Sequence, residues 1–152
     1  MTTFKNQWVK LFLCMLLGTL STVVYGKASS VVTPVVLRGV WYPQSEQGHE
    51  QCKAYRENKS IDNLIGALVI WKRSYRSYAE YGEGNYSVIR KIKRLKAATW
   101  EIQDTTYLDG NKYGNSDSSI FSIKNTQLHW TYRFTVENKE TKHTAVLFKC
   151  KA

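Results

Sequence analysis

From Gln127 to Glu137 apolar and polar residues alternate without a break: Leu128, Trp130, Tyr132, Phe134 and Val136 against Gln127, His129, Thr131, Arg133, Thr135 and Glu137. Side chains that switch sides at every residue belong to a β-strand with one wet and one dry face, because a helix repeats at about 3.6 residues and would scatter them. A dry strand face has to be covered by other elements, which makes the rest of the chain a search for partners.

Those partners are legible as short extended segments between turns. Val35 to Tyr42 is β-branched and aromatic and stops at Pro43, which has no N–H for a central pairing. Gln44 to Lys59 is polar, holds Gly48 and Cys52, and reads as a loop with one helical turn. Leu64 to Trp71 is a nearly continuous apolar run whose Ile, Val and Trp content favours a buried strand, and Lys72 to Glu80 continues it or returns as its hairpin partner. The glycines of Tyr81-Gly-Glu-Gly-Asn85 mark a turn, followed by strands at Tyr86 to Lys96 and Ala97 to Tyr107. Asp109 to Ser118 is polar with two glycines and is expected as an exposed loop. Ile120 to Lys124 reads as a short strand, Asn125-Thr126 as its turn, and Lys142 to Cys150 as the last strand after a loop at Asn138 to Thr141.

About eight strands with short turns, and no helix-period segment long enough to cover a sheet, predict an all-β antiparallel meander. Closing on itself removes its exposed edges, so the expected fold is a single up-and-down β-barrel, with a β-sandwich as the alternative.

The amino terminus has the basic Lys5 and Lys10 with no acid, an apolar stretch from Leu11 to Leu17, and then smaller residues to Gly26. That order predicts a signal peptide over residues 1–26, and Leu11 to Tyr25 is shorter than the ~20 mostly apolar residues a membrane span needs. The expected organisation is then a signal peptide (1–26), a mobile arm (27–34) and one barrel domain (35–152), exported to the periplasm or the outside. Cleavage would remove Cys14 and leave Cys52 and Cys150 as a pair, which an oxidising compartment bridges. It would also lower the formal charge from +10 to +8, since two lysines and no acid leave with it. So positive a chain selects anionic partners when charge does the selecting.

The Leu37-Arg38-Gly39-Val40-Trp41 segment has the pattern L-x-G-x-W on the first strand. It resembles the opening of lipocalin-type and related small secreted β-barrels, including the periplasmic protease-inhibitor barrels. The resemblance implies that Trp41 plugs one barrel end and that Gly39 lets the backbone pass close to it. It covers these residues and a loosely matching disulfide.

Arg90-Lys91-Ile92-Lys93-Arg94-Leu95-Lys96 holds five cations in seven residues, with Lys72, Arg73 and Arg76 upstream. If the two segments pair, these cations form one basic face. A regular strand would put Arg90 and Arg94 on one side and Lys91 and Lys93 on the other. Tyr75, Tyr78, Tyr81 and Tyr86 lie beside the cations, a mixture suited to sugars or bases. Trp41, Trp71, Trp100 and Trp130 sit on apolar alternations and are expected in the core. His49, His129 and His143 have no metal-ligand spacing, no Gly-x-Ser-x-Gly elbow occurs, and a calcium-like start at Asp109 fails where Tyr113 and Ile120 replace ligands. No metal, cofactor or catalytic residue is expected.

The resulting expectation is an exported, non-enzymatic binding domain, either an inhibitor of a periplasmic or secreted enzyme or a binder of an anionic envelope component, a lipid headgroup or glycan. Its predicted binding residues are Lys72, Arg73, Arg76, Arg90, Arg94, Tyr75, Tyr78 and Tyr81. A carrier of a small hydrophobic ligand and an uncharacterised hydrolase are the alternatives. A monomer is expected, and nucleic acid is not the expected partner.

Overall fold

A computed structural model describes residues 31–80, 83–108, 111–136 and 139–151. The proposed signal segment and residues 27–30 of the arm lie outside these. Eight antiparallel strands close into one barrel, in chain order. They are β1 (Gly39–Pro43), β2 (Leu68–Ile70), β3 (Ser74–Ser77), β4 (Asn85–Lys96), β5 (Thr99–Leu108), β6 (Asn115–Lys124), β7 (Gln127–Val136) and β8 (Lys139–Cys150). The first and last strands pair from Val40↔Cys150 to Pro43↔Leu147, so no edge is left open.

The two predicted hairpin strands at β4 and β5 are present, as is the turn at Asn125-Thr126, where both residues have positive φ (47° and 66°). Left-handed conformation at both central residues matches the right-handed twist of the strands it joins. Elsewhere the boundaries move. The 64–71 run is broken, since Ile61–Leu64 is a short 3-10 helix and Gly66 turns the chain with φ 77° before β2 begins. Trp71, expected in the core, falls just past β2 and is 42% exposed.

The largest departure from expectation is a helix, α1 (Glu46–Glu57), in the stretch read as a loop. Ser45 caps it by accepting the Gly48 N–H at 3.1 Å, and Glu46 and Arg56 complement its dipole. Its inward face is carried by Gly48, Cys52 and Tyr55. Those residues are small or ambivalent, so the helical period was faint. A Cβ at position 48 would collide with the Pro43 carbonyl oxygen, which lets only glycine bring the helix this close to the end of β1.

Two apolar clusters result. One fills the barrel interior with Leu37, Trp41, Ile70, Trp100, Ile102, Phe121 and Leu128 among others. The second lies between the outer wall and α1 and holds Tyr42, Cys52, Leu64, Val69, Tyr78 and Cys150. The Cys52–Cys150 disulfide joins these residues, with Cα atoms 5.7 Å apart, and so pins α1 against the end of β8. Tyr42 secures the same cluster by donating its hydroxyl to the Asn63 carbonyl at 2.6 Å.

One end of the barrel is closed. A 3-10 turn at Val35–Leu37 leads into β1, and Trp41, 2% exposed, donates its indole N–H to the Leu37 carbonyl at 2.8 Å. Gly39 adopts φ 131°, and the Lys149 side chain lies over it and over the Trp41 ring, with Nζ 5.3 Å from the ring centroid. Residues 31–34, expected to be part of a mobile arm, are instead packed. Val31 rests on the interior cluster, the Thr33 N–H donates to the Lys72 carbonyl, and Arg38 donates twice to the Thr33 carbonyl.

Candidate functional site

The predicted basic residues lie on the neighbouring β3 and β4 and on the turn before β3, and not on one face. β3 pairs with β4, placing Arg76 opposite Tyr86 and Ser74 opposite Val88, and the Ile89 N–H donates to the Arg73 carbonyl. A bulge between Ile89 and Lys91 then shifts the register. Ile89 lies opposite the inward Asp104, Lys91 opposite Gln103, Ile92 opposite the inward Ile102, and Arg94 opposite the inward Trp100. Arg90 and Arg94 are therefore on different sides, not one. Arg90 stays on the outer wall with Lys91 and Lys93, donating Nε–H to the Thr105 hydroxyl at 3.0 Å, and Arg94 sits on the inner phase at the closed rim, where it is exposed. The extra residue of the bulge cancels one step of alternation.

The tyrosines do not form the expected surface. Tyr75 is 4% exposed and points into the barrel, packing edge-on against Phe121 with centroids 5.5 Å apart. Tyr78 is buried in the outer cluster beneath the Arg76 guanidinium, 4.9 Å from its ring centroid. Tyr81 lies outside the described residues. Lys72 and Arg73 are exposed on the β2–β3 turn.

The chemistry that the sequence did not announce is inside the other half of the barrel. Continuing inward along β5, Trp100 and Ile102 are followed by Asp104 and Thr106. Asp104 is 2% exposed. One of its oxygens accepts the Tyr75 hydroxyl at 2.7 Å and the other the Thr106 hydroxyl at 2.7 Å. An ionised carboxylate only accepts, so with Asp104 ionised both hydroxyls donate to it, and the Ser87 and Thr106 hydroxyls share a further bond at 2.8 Å. Opposite Asp104 on β6 stands Asp117, exposed at the mouth.

Above this network opens a cavity of about 260 Å³. Ser77, Ser87, Thr106 and Ser119 supply its hydroxyls, Trp130, Tyr132 and Tyr75 its rings, and Asp117 and Arg133 its charges. Trp130 and Tyr132 form a tilted aromatic pair with centroids 4.4 Å apart, and Trp130 stacks on Phe121 below. Arg133 is held at the rim by Glu140 at 3.0 Å. No protein-family model matches the chain, and no curated protein or solved structure matches it either. The likeness to lipocalin-type barrels thus stands on the eight-stranded barrel with Gly39 and Trp41 at its closed end.

Burial is the main force on Asp104 and lifts its pKa above the ordinary carboxylate value. The hydrogen bonds from Tyr75 and Thr106 pull it back, and the Asp117 charge adds to the rise. Burial first and the Asp104 carboxylate second hold the Tyr75 hydroxyl above the usual phenol range, so it stays a donor. A carboxyl whose folded pKa exceeds its unfolded one binds its proton more tightly when folded. Its contribution to stability is therefore full below the ordinary carboxylate range and lost as pH rises through the folded value. The stability of the wild type relative to Asp104→Asn is expected to fall as pH rises above the ordinary carboxylate range, measured by urea titration at each pH. A difference that does not change with pH would show that Asp104 feels no net desolvation.

Proposed function

We propose that the chain is a binding protein whose polar barrel mouth takes a small, hydroxyl-rich ligand, a saccharide unit. The observation that carries this reading is a cavity walled on one side by Trp130 and Tyr132 and on the others by serine and threonine hydroxyls, with Asp117 at its entrance. Aromatic faces cover the C–H faces of sugar rings while hydroxyls and a carboxylate satisfy the sugar hydroxyls. At about 260 Å³ the cavity is at the small end of ligand sites, which fits one or two rings rather than a long chain. The polar lining favours this ligand over a hydrophobic cargo, because the dry half of the barrel is filled by its own side chains.

Hydrolysis is less well supported, although two carboxylates face each other. Both Asp104 oxygens are engaged by hydroxyls and the residue is buried, which leaves it positioned to organise the cavity floor rather than to exchange a proton with a substrate. A disulfide between Cys52 and Cys150 supports the accompanying proposal of an exported, periplasmic or secreted protein.

The test is isothermal titration of the oxidised protein with neutral mono- and disaccharides, aliphatic amines and fatty acids in parallel. Saccharide binding that Asp117→Asn and Tyr132→Ala each weaken about tenfold, or ~1.4 kcal/mol, is the expected outcome. Binding of fatty acids with no response to saccharides would overturn the proposal in favour of a hydrophobic carrier.

A further inference from the structure

The closed end has a composition unlike that of the mouth. The turns and strand ends that form its rim, residues 31–40, 70–74, 94–100, 121–128 and 149–151, contain no aspartate or glutamate, and the nearest acids are Glu101 opposite Lys93 and those of α1 on the outer wall beside Cys150. The same segments carry Arg38, Lys72, Arg73, Arg94, Lys96, Lys124 and other cations. Apolar side chains are exposed among them: Val35 at 73%, Val36 at 48%, Trp71 at 42% and Leu95 at 44%.

Register places these residues at one end. β1 begins at Gly39 opposite Ile70, the last residue of β2, so the Val35–Leu37 turn and Trp71 leave the barrel side by side. The Thr33 N–H bonds the Lys72 carbonyl across that gap. β4 and β5 run past the start of β3, and Ile92 and Ala98 of their hairpin join Val31 against the interior cluster, which brings Leu95 at the hairpin tip to the same end.

The three protrusions repeat one arrangement, an exposed apolar point with cations next to it in sequence. They are Val35-Val36, two residues before Arg38, whose guanidinium also bonds the Thr33 carbonyl; Trp71 before Lys72-Arg73; and Leu95 between Arg94 and Lys96. Aliphatic and indole side chains beside lysine and arginine match the boundary of an anionic bilayer. There the apolar groups enter the headgroup and acyl boundary while the cations reach back to phosphates. Nucleic acid and acidic proteins would use the cations but would not require apolar tips on three separate loops.

We propose that the closed end of the barrel docks on an anionic lipid surface, with Val35, Val36, Trp71 and Leu95 inserted and the surrounding lysines and arginines on the lipid phosphates. In that orientation the mouth faces away from the membrane, so the docking surface is separate from the cavity and does not depend on its ligand.

The experiment is co-sedimentation of the full, oxidised protein with unilamellar vesicles of phosphatidylcholine alone or mixed with phosphatidylglycerol. Binding is expected only to the anionic vesicles and should weaken at least tenfold between about 0.05 and 0.5 M salt, where screening shortens the reach of exposed charges. Trp71→Ser should reduce partitioning about tenfold and remove quenching by brominated lipid. Lys72→Glu with Arg73→Glu should reduce it more than Lys139→Glu with Lys142→Glu, a pair at exposed sites on β8 with the same change in net charge. All of these sites are exposed, so unchanged melting is the folding check. Equal loss from both charge pairs, equal binding to neutral vesicles, or no binding would overturn the proposal. Binding to duplex DNA or heparin that Trp71→Ser leaves unchanged, without vesicle binding, would assign the surface to a soluble polyanion instead.

Discussion

Reduction of the Cys52–Cys150 disulfide is expected to lower the unfolding free energy by about 4–5 kcal/mol, because it releases a long loop in the unfolded chain. The cysteines are 98 residues apart, so the chain-entropy term is near the upper end of what one disulfide supplies. For a domain of this size the melting temperature should fall by about 15 °C. The barrel itself is closed by backbone pairing of β1 with β8, so the loss is expected to begin on the outside, at α1 and the cluster of Tyr42, Leu64, Val69 and Tyr78. Urea denaturation with and without reductant, and of Cys52→Ala with Cys150→Ala, measures the effect. Once Cys14 has left with residues 1–26, the unfolded, unreduced protein should show no titratable thiol. Two thiols per chain, or equal midpoints in both conditions, would remove the cross-link from the account of stability.

The fold is readable wherever the inward side chains are apolar or aromatic. Leu128, Trp130 and Tyr132 on β7, and Trp100 and Ile102 on β5, alternate against water, and the strands were found there. Alternation fails as a signal where the inward side is itself polar. β6 begins at Asn115, five residues earlier than the Ile120 expected, because its inward residues Asp117 and Ser119 line the cavity and look like loop residues in sequence. The helix was hidden for a related reason. Gly48, Cys52 and Tyr55 bury a face without the large aliphatic residues that make a helical period conspicuous, and only Ser45 before Glu46 marked its start.

The site was less legible than the fold. Asp104 and Thr106 continue the inward phase set by Trp100 and Ile102, and polar residues at core positions of a strand are the signal that could have located the mouth. Sequence proximity to cations does not make the tyrosines one surface with them, since Tyr75 alternates inward from Arg76. The sequence leaves the pairing of β3 with β4 open, and nothing in it signals the bulge after Ile89. A bulge depends on how two strands meet, and no residue of Arg90-Lys91 advertises it. Charge reversal should therefore group Arg90 with Lys91 and Lys93, and Arg94 with the closed rim.

Trp41→Ala is expected to cost about 3–5 kcal/mol, the usual range for deleting a buried tryptophan without collapse of the space it filled. The space has little means of collapsing, since Leu37 lies on one side and Lys149 on the other, and Gly39 has no side chain to move in. Trp41→Phe separates packing from hydrogen bonding. It retains an aromatic ring but leaves the carbonyl of the fully buried Leu37 without its indole donor, a loss of about 1–3 kcal/mol. Because that bond ties the strand to the turn before it, both variants should also speed hydrogen exchange at the Thr33 and Leu37 amides, which donate to Lys72 and Pro34, more than at the β4–β5 ladder. Urea denaturation with exchange mass spectrometry reads both effects. A cost below about 1 kcal/mol for Trp41→Ala, the level of an ordinary surface change, would show that the closed end does not rest on this residue. The Val35–Leu37 turn would then be held by its contacts with the β2–β3 turn alone.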